Sequence, residues 1–164
     1  MDHETRTTEA RRFFLQQFVG FSMIPEDHVQ EIYAKALLIC AKGDGVLHDD
    51  ERAWVRGYFA STGAPDHVLA LIETYQGDDD INDVLALDER TARMAARNIV
   101  FDALRVCAAD DELSSRERDT IFGVGVKMGL THREVEQVEA AYRVYTAALE
   151  NKMTVLFPHE APPF

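Results

Sequence analysis

The chain has 164 residues, 46% of them hydrophobic, with 9 Gly, 5 Pro and 2 Cys. That is one domain's worth of sequence with enough apolar content for a core, and it excludes collagen-like, low-complexity and disordered classes. The 29 acidic side chains against 17 Lys plus Arg give a net charge of -12, which argues against nucleic-acid partners and anionic membrane surfaces.

A first helix is predicted over about residues 8–21, where Phe14, Phe18 and Phe21 recur at helical spacing. Pro25 suits the first turn of a second helix, which runs to about Ala41 with Val29, Ile32, Tyr33, Ala36, Leu37 and Cys40 along one side. Gly43 and Gly45 break it. A third helix is expected from about Asp49 to Ala60, and Pro65 opens a fourth carrying Val68, Leu69 and Ile72. After an acidic turn at Asp78, Asp79 and Asp80 comes a short helix over Ile81 to Leu85. Asp88 then reads as the N-cap of a long helix to about Ala108, whose small residues Ala92, Ala95, Ala96 and Ala103 call for close packing. Ser114 with Glu117, and Thr131 with Glu134, have capping-box spacing and start the last two helices, the second reaching about Asn151. The prolines of the tail, residues 155–164, end helical structure. No run approaches the roughly 20 apolar residues of a spanning helix. The fold class is all-α, about seven helices in an orthogonal bundle.

The chain repeats itself at an offset of 66 residues. Leu38 pairs with Leu104, Asp44 with Asp110, Leu47 with Leu113, Glu51 with Glu117, Arg52 with Arg118, Gly57 with Gly123 and Gly63 with Gly129. The halves, about 34–73 and 100–139, each read as helix, acidic turn, helix, glycine turn, helix, and are expected to face each other about a pseudo-twofold axis. The whole, 1–164, is a single helical domain, with the N-terminal aromatic helix and the tail as appendages.

The acidic turns raise a metal question. Gly45, Leu47 and Glu51 match late positions of a calcium loop, but Cys40 and Lys42 occupy places that need oxygen ligands, so an EF-hand is rejected. Two readings remain. Glu51 and Glu117 cap helices while Leu47 and Leu113 plug the core. Alternatively, Asp44, Asp49 and Asp50 come together with Asp110, Asp111 and Glu112 around a divalent cation, the one ligand of this kind the chain invites; no other cofactor is expected.

The two turns, Ala41-Lys42-Gly43-Asp44-Gly45-Val46-Leu47 with Glu51-Arg52 and Cys107-Ala108-Ala109-Asp110-Asp111-Glu112-Leu113 with Glu117-Arg118, together with Gly129-Leu130-Thr131 and Glu134, resemble the TerB-like tellurite-resistance domains over about residues 26–145. The resemblance implies an all-helical, internally pseudo-symmetric fold linked to tellurite and stress resistance, membrane-associated assemblies and metal sensing. Lys42 and Asp111 depart from that family's pattern.

No nucleophile elbow, Cys-x-x-Cys or phosphate-cradling glycine loop is present. The favoured function is a noncatalytic interaction or stress-response module with weak divalent-ion sensing. Phe14, Phe18 and Phe157 are its candidate contact residues, toward a protein partner or a second copy. The alternative is a small helical enzyme or small-molecule-binding protein, with Asn98, Asp102 and Arg105 lining a polar pocket on the long central helix. The start of the chain lacks a secretory pattern, and Cys40 and Cys107 lie in apolar segments, so a reducing, cytoplasmic setting is expected.

Overall fold

A computed structural model describes residues 3–109 and 113–158. Among them are eight α-helices and no strands. They are α1 (His3–Phe14), α2 (Asp27–Ala41), α3 (Asp49–Ser61), α4 (Asp66–Thr74), α5 (Ile81–Ala86), α6 (Glu89–Cys107), α7 (Ser115–Lys127) and α8 (His132–Leu156). A π-helical turn, Leu15–Val19, extends α1, and a 3-10 turn, Lys42–Asp44, ends α2.

Local chemistry sets these boundaries. Asp88, Ser114 and Thr131 cap α6, α7 and α8 by accepting from Thr91, Glu117 and Glu134 backbone N–H groups. Glu117 and Glu134 reach back to their own N-caps, closing both expected capping boxes. Two starts differ from the sequence reading: Pro25 precedes the N-cap Glu26, and Pro65 is itself the N-cap of α4. The last helix also runs past Asn151, through Val155 and Leu156 at the front of the tail.

Several helix boundaries recur at a spacing of 66 residues. The starts of α3 and α7, at 49 and 115, and their ends, at 61 and 127, are each 66 apart; so are the starts of α4 and α8, at 66 and 132. The partner helices α2 and α6 end at 41 and 107. These two pack against each other through the centre of one contiguous core. Ala34, Ala36, Leu37 and Leu38 on α2, and Ala96, Ala103 and Leu104 on α6, have no exposed surface. Small side chains let the two axes approach closely while the leucines fill the space to either side.

The paired arginines do related work by different means. Arg52 on α3 donates to the carbonyls of Ile72 and Tyr75, satisfying the open end of α4. Arg118 on α7 instead grips the Glu139 side chain of α8 in a two-pronged pair at 2.8 and 2.7 Å. Arg143 adds a third bond at 2.8 Å, and these contacts hold the Glu139 carboxyl below the usual carboxylate range. The offset position of α4's last residue, 74, is 140, yet α8 continues to 156. With its partner arginine engaged by a side chain, the α8 backbone is left free to propagate.

Enlarging a small residue at the α2–α6 contact tests this packing. Ala103→Leu is expected to lower unfolding stability by about 1–3 kcal/mol through overpacking, read as a lower urea midpoint at unchanged slope.

Candidate functional site

The residues that carry chemistry gather in two places, both on the inner side of α6. The first centres on Asp102, a carboxylate only 4% exposed. It accepts from the Tyr33 hydroxyl at 2.8 Å and from Arg105 at 3.1 Å. The Tyr58 hydroxyl lies within the influence of the same charge. The Arg105 guanidinium lies over the Trp54 ring at 4.8 Å and the Tyr145 ring at 5.6 Å. A charge that deep in the core must be paired, and here residues of α2, α3 and α8 converge on it. Burial, followed by the Asp102 charge, pushes both the Tyr33 and Tyr58 hydroxyls up from the ordinary tyrosine range.

Asn98 takes a different direction from its neighbours. Its amide donates to the Val19 carbonyl at 3.3 Å, and it lines an open groove with Arg97, Phe101, Gln137, Val138 and Ala141. The expected trio is therefore divided between two settings. Asp102 and Arg105 bond each other inside, whereas Asn98 tethers the N-terminal segment. Phe101, one turn from Asn98, meets the rings of Tyr142 at 6.0 Å and Tyr145 at 5.6 Å. One turn of α6 thus receives both the N-terminal segment and the middle of α8.

The second place joins the starts of α3 and α7 to the end of α6. One ligand atom each from Glu51, Cys107 and Glu117 lies within 4.8 Å of the others, and all three residues are buried. Helix capping sets the carboxylate positions: Glu51 Oε2 accepts from His48 N at 2.8 Å, and Glu117 Oε2 from Ser114 N at 2.7 Å. Close seating of the first turn completes the junction, because a Cβ on Gly43 would come within 2.9 Å of the Glu117 Cα. Two carboxylates this close in apolar surroundings repel unless a proton or a cation is shared between them. Oxygen, oxygen and sulfur donors together suit a borderline divalent ion such as zinc.

The acids singled out in the sequence sit elsewhere. Asp44 accepts from Val46 N at 2.9 Å and closes its own turn. Asp49 and Asp50 are exposed on the first turn of α3. Asp110, Asp111 and Glu112 lie outside the described residues. Neither cysteine is in a disulfide, and burial pushes the Cys40 thiol up to about 12. From the sequence Glu51 and Glu117 read as caps and Cys107 as a small buried residue; the one sequence signal linking any of them is that Glu51 and Glu117 lie 66 residues apart.

The aromatic contact residues are also sorted by the structure. Phe18 is 68% exposed, while Phe14 packs on it at 5.2 Å and is half-buried, as is Phe157. The larger apolar exposure is on the far half of α8. Tyr145, Leu149 and Leu156 continue the face that buries Val135 and Val138 nearer the start of the helix. None of the helices of the described residues is long and apolar enough to cross a membrane.

A crystal structure of a tellurite resistance protein from Nostoc punctiforme matches this fold with a TM-score of 0.87. The two chains are 31% identical, and the match covers 99% of each. No protein-family model and no curated protein matches the chain.

The tyrosine shifts have a defined pH consequence. A hydroxyl whose folded pKa lies above its unfolded value of about 10 contributes stability that is complete below that pH. Tyr33 and Tyr58 are therefore expected to stay protonated in the native chain as pH rises past about 10, with stability falling steadily from there. Ultraviolet titration of tyrosinate beside urea unfolding at each pH measures both, and Tyr33→Phe should flatten the decline.

Proposed function

The chain belongs to the TerB-like tellurite-resistance family, and from that membership we propose that it is a noncatalytic stress-response module of the cytoplasm, working through contact with a second copy of itself along the far half of α8. The observation that carries this reading is the overhang. At 25 residues α8 is about 37 Å long, and its buried residues, Val135, Val138 and Glu139, all fall within the first two turns. Beyond them Tyr142 and Tyr145 still meet Phe101 of α6, and past these the inward face continues as Leu149, Met153 and Leu156, all of them exposed. An apolar helical face presented to water in this way fits a partner helix.

Charge favours a second copy as that partner. The chain carries a net charge of -12, so most pairs of its surfaces repel. Residues 140–157 hold one acid, Glu150, and two bases, Arg143 and Lys152. Two overhangs therefore meet where like-charge repulsion is weakest. The mutual bonding of Asp102, Tyr33 and Arg105 supports the noncatalytic part of the reading, since these groups are committed to holding helices together.

Sedimentation equilibrium tests the reading. The wild-type chain is expected to show concentration-dependent dimers, and Leu149→Glu with Leu156→Glu should weaken them by at least about tenfold. Both sites are exposed, so helix content should hold. A wild-type chain that stays monomeric at the highest attainable concentration, or a dimer indifferent to the double change, removes the proposal.

A second reading, divalent-ion response, rests on the Glu51, Cys107 and Glu117 cluster. A cation there would join the two halves and relieve carboxylate repulsion. Added zinc is expected to raise the melting temperature saturably, and the Glu51→Gln, Glu117→Gln pair should abolish the rise. A weak, unsaturated response shared equally by zinc, calcium and magnesium would mean screening of the net charge and would end this reading.

A further inference from the structure

A path of touching aromatic rings leads from the surface of α3 to the buried Asp102. Trp54, the single tryptophan of the chain, is half-buried. Its ring stacks on Tyr58 with centroids 5.3 Å apart and planes 13° from parallel. Tyr58 meets Phe59 at 5.5 Å, and Phe59 meets Tyr33 at 6.1 Å. The last of these, Tyr33, is only 5% exposed. Every step of the path is thus a ring-to-ring contact.

The path ends on a proton acceptor. Loss of an electron turns a phenol into a strong acid, and the resulting positive charge is costly in an apolar core unless the proton can leave. The Tyr33 hydroxyl donates to Asp102 Oδ2 at 2.8 Å, so its proton has only to cross an existing hydrogen bond. Tyrosines off the path lack one half of this arrangement. Tyr75 donates to Asp79 at 3.0 Å but touches no other ring among the described residues. Tyr142 and Tyr145 meet Phe101, yet neither hydroxyl holds a carboxylate among the described residues.

We propose that Trp54 and Tyr33 are the two ends of a one-electron relay, which moves an oxidising equivalent from the surface onto Tyr33. A one-electron oxidant, such as a small inorganic radical, takes an electron from Trp54 and is itself reduced. An electron from Tyr33 refills the indole through the Phe59 and Tyr58 rings, and the Tyr33 proton passes to Asp102 Oδ2. The products are a neutral tyrosyl radical and a neutral carboxylic acid, which keeps the hydrogen bond with its donor reversed. A small thiolate restores the start by giving up one electron and becoming a thiyl radical, while the proton returns to Tyr33. Arg105 keeps its seat on the Trp54 and Tyr145 rings throughout. Each chain holds one equivalent.

Flash oxidation of the full chain by a photogenerated ruthenium(III) polypyridyl complex tests the proposal, followed by transient absorption and time-resolved infrared. A tryptophanyl radical is expected to form first and to convert into a tyrosyl radical at a rate independent of protein concentration. A carboxylic-acid carbonyl band should rise with the tyrosyl signal, and heavy water should slow both. Tyr33→Phe, which keeps the ring and removes the transferable proton, should lengthen the tryptophanyl lifetime at least about tenfold at unchanged helix content. Tyr75→Phe should leave the lifetime as it is. A wild-type tryptophanyl radical that decays without tyrosyl formation overturns the proposal. So does a lifetime indifferent to Tyr33→Phe, or a tyrosyl radical that rises with no carboxylic-acid band.

Discussion

A buried carboxylate that cannot be left unpaired organises this protein. Asp102 sits on the inner face of α6, where an uncompensated charge would cost several kcal/mol. Its partners come from far along the chain: Tyr33 is 69 residues away on α2. Arg105 brings the charge balance and stacks on Trp54 of α3 and Tyr145 of α8. Four helices are thereby held in one relative arrangement, beyond what non-directional burial of alanine and leucine would specify.

Around that centre, residues 66 positions apart have taken different partners, with large consequences. Arg52 satisfies backbone carbonyls, and α4 stops. Arg118 binds a side chain, and α8 continues to Leu156. Tyr142 and Tyr145 still rest on α6, but from Leu149 onward the continuation exposes an apolar face of a kind α4 never presents. Glu51 and Glu117, by contrast, keep the same task. Each closes the first turn of its helix, and because the helices approach each other, two local caps become one buried acidic pair beside Cys107.

The N-terminal segment shows how a single side chain can tether a helix. Arg11 docks α1 through Nε alone, on a surface that Gly63 keeps bare. The guanidinium fork has donors to spare after that bond, which lysine would lack in this planar arrangement. The π-helical turn after Phe14 then carries Leu15 inward and leaves Phe18 in solvent.

The sequence by itself determined the all-helical class, the helix order and most of the boundaries, because caps, breakers and apolar periodicity act within a few residues. Asp88, Ser114 and Thr131 were legible as N-caps since their partners lie three positions on. The 66-residue offset was legible for the same reason, being a comparison of local patterns. Only the tertiary structure decided that Tyr33 and Tyr58 meet Asp102, that Glu51 and Glu117 meet Cys107, and that Arg11 crosses to Thr62. It likewise divided Asn98 from Asp102, which helical spacing had placed together. Such contacts join residues on different helices, and a helical pattern fixes which face turns inward but not which neighbour that face will meet.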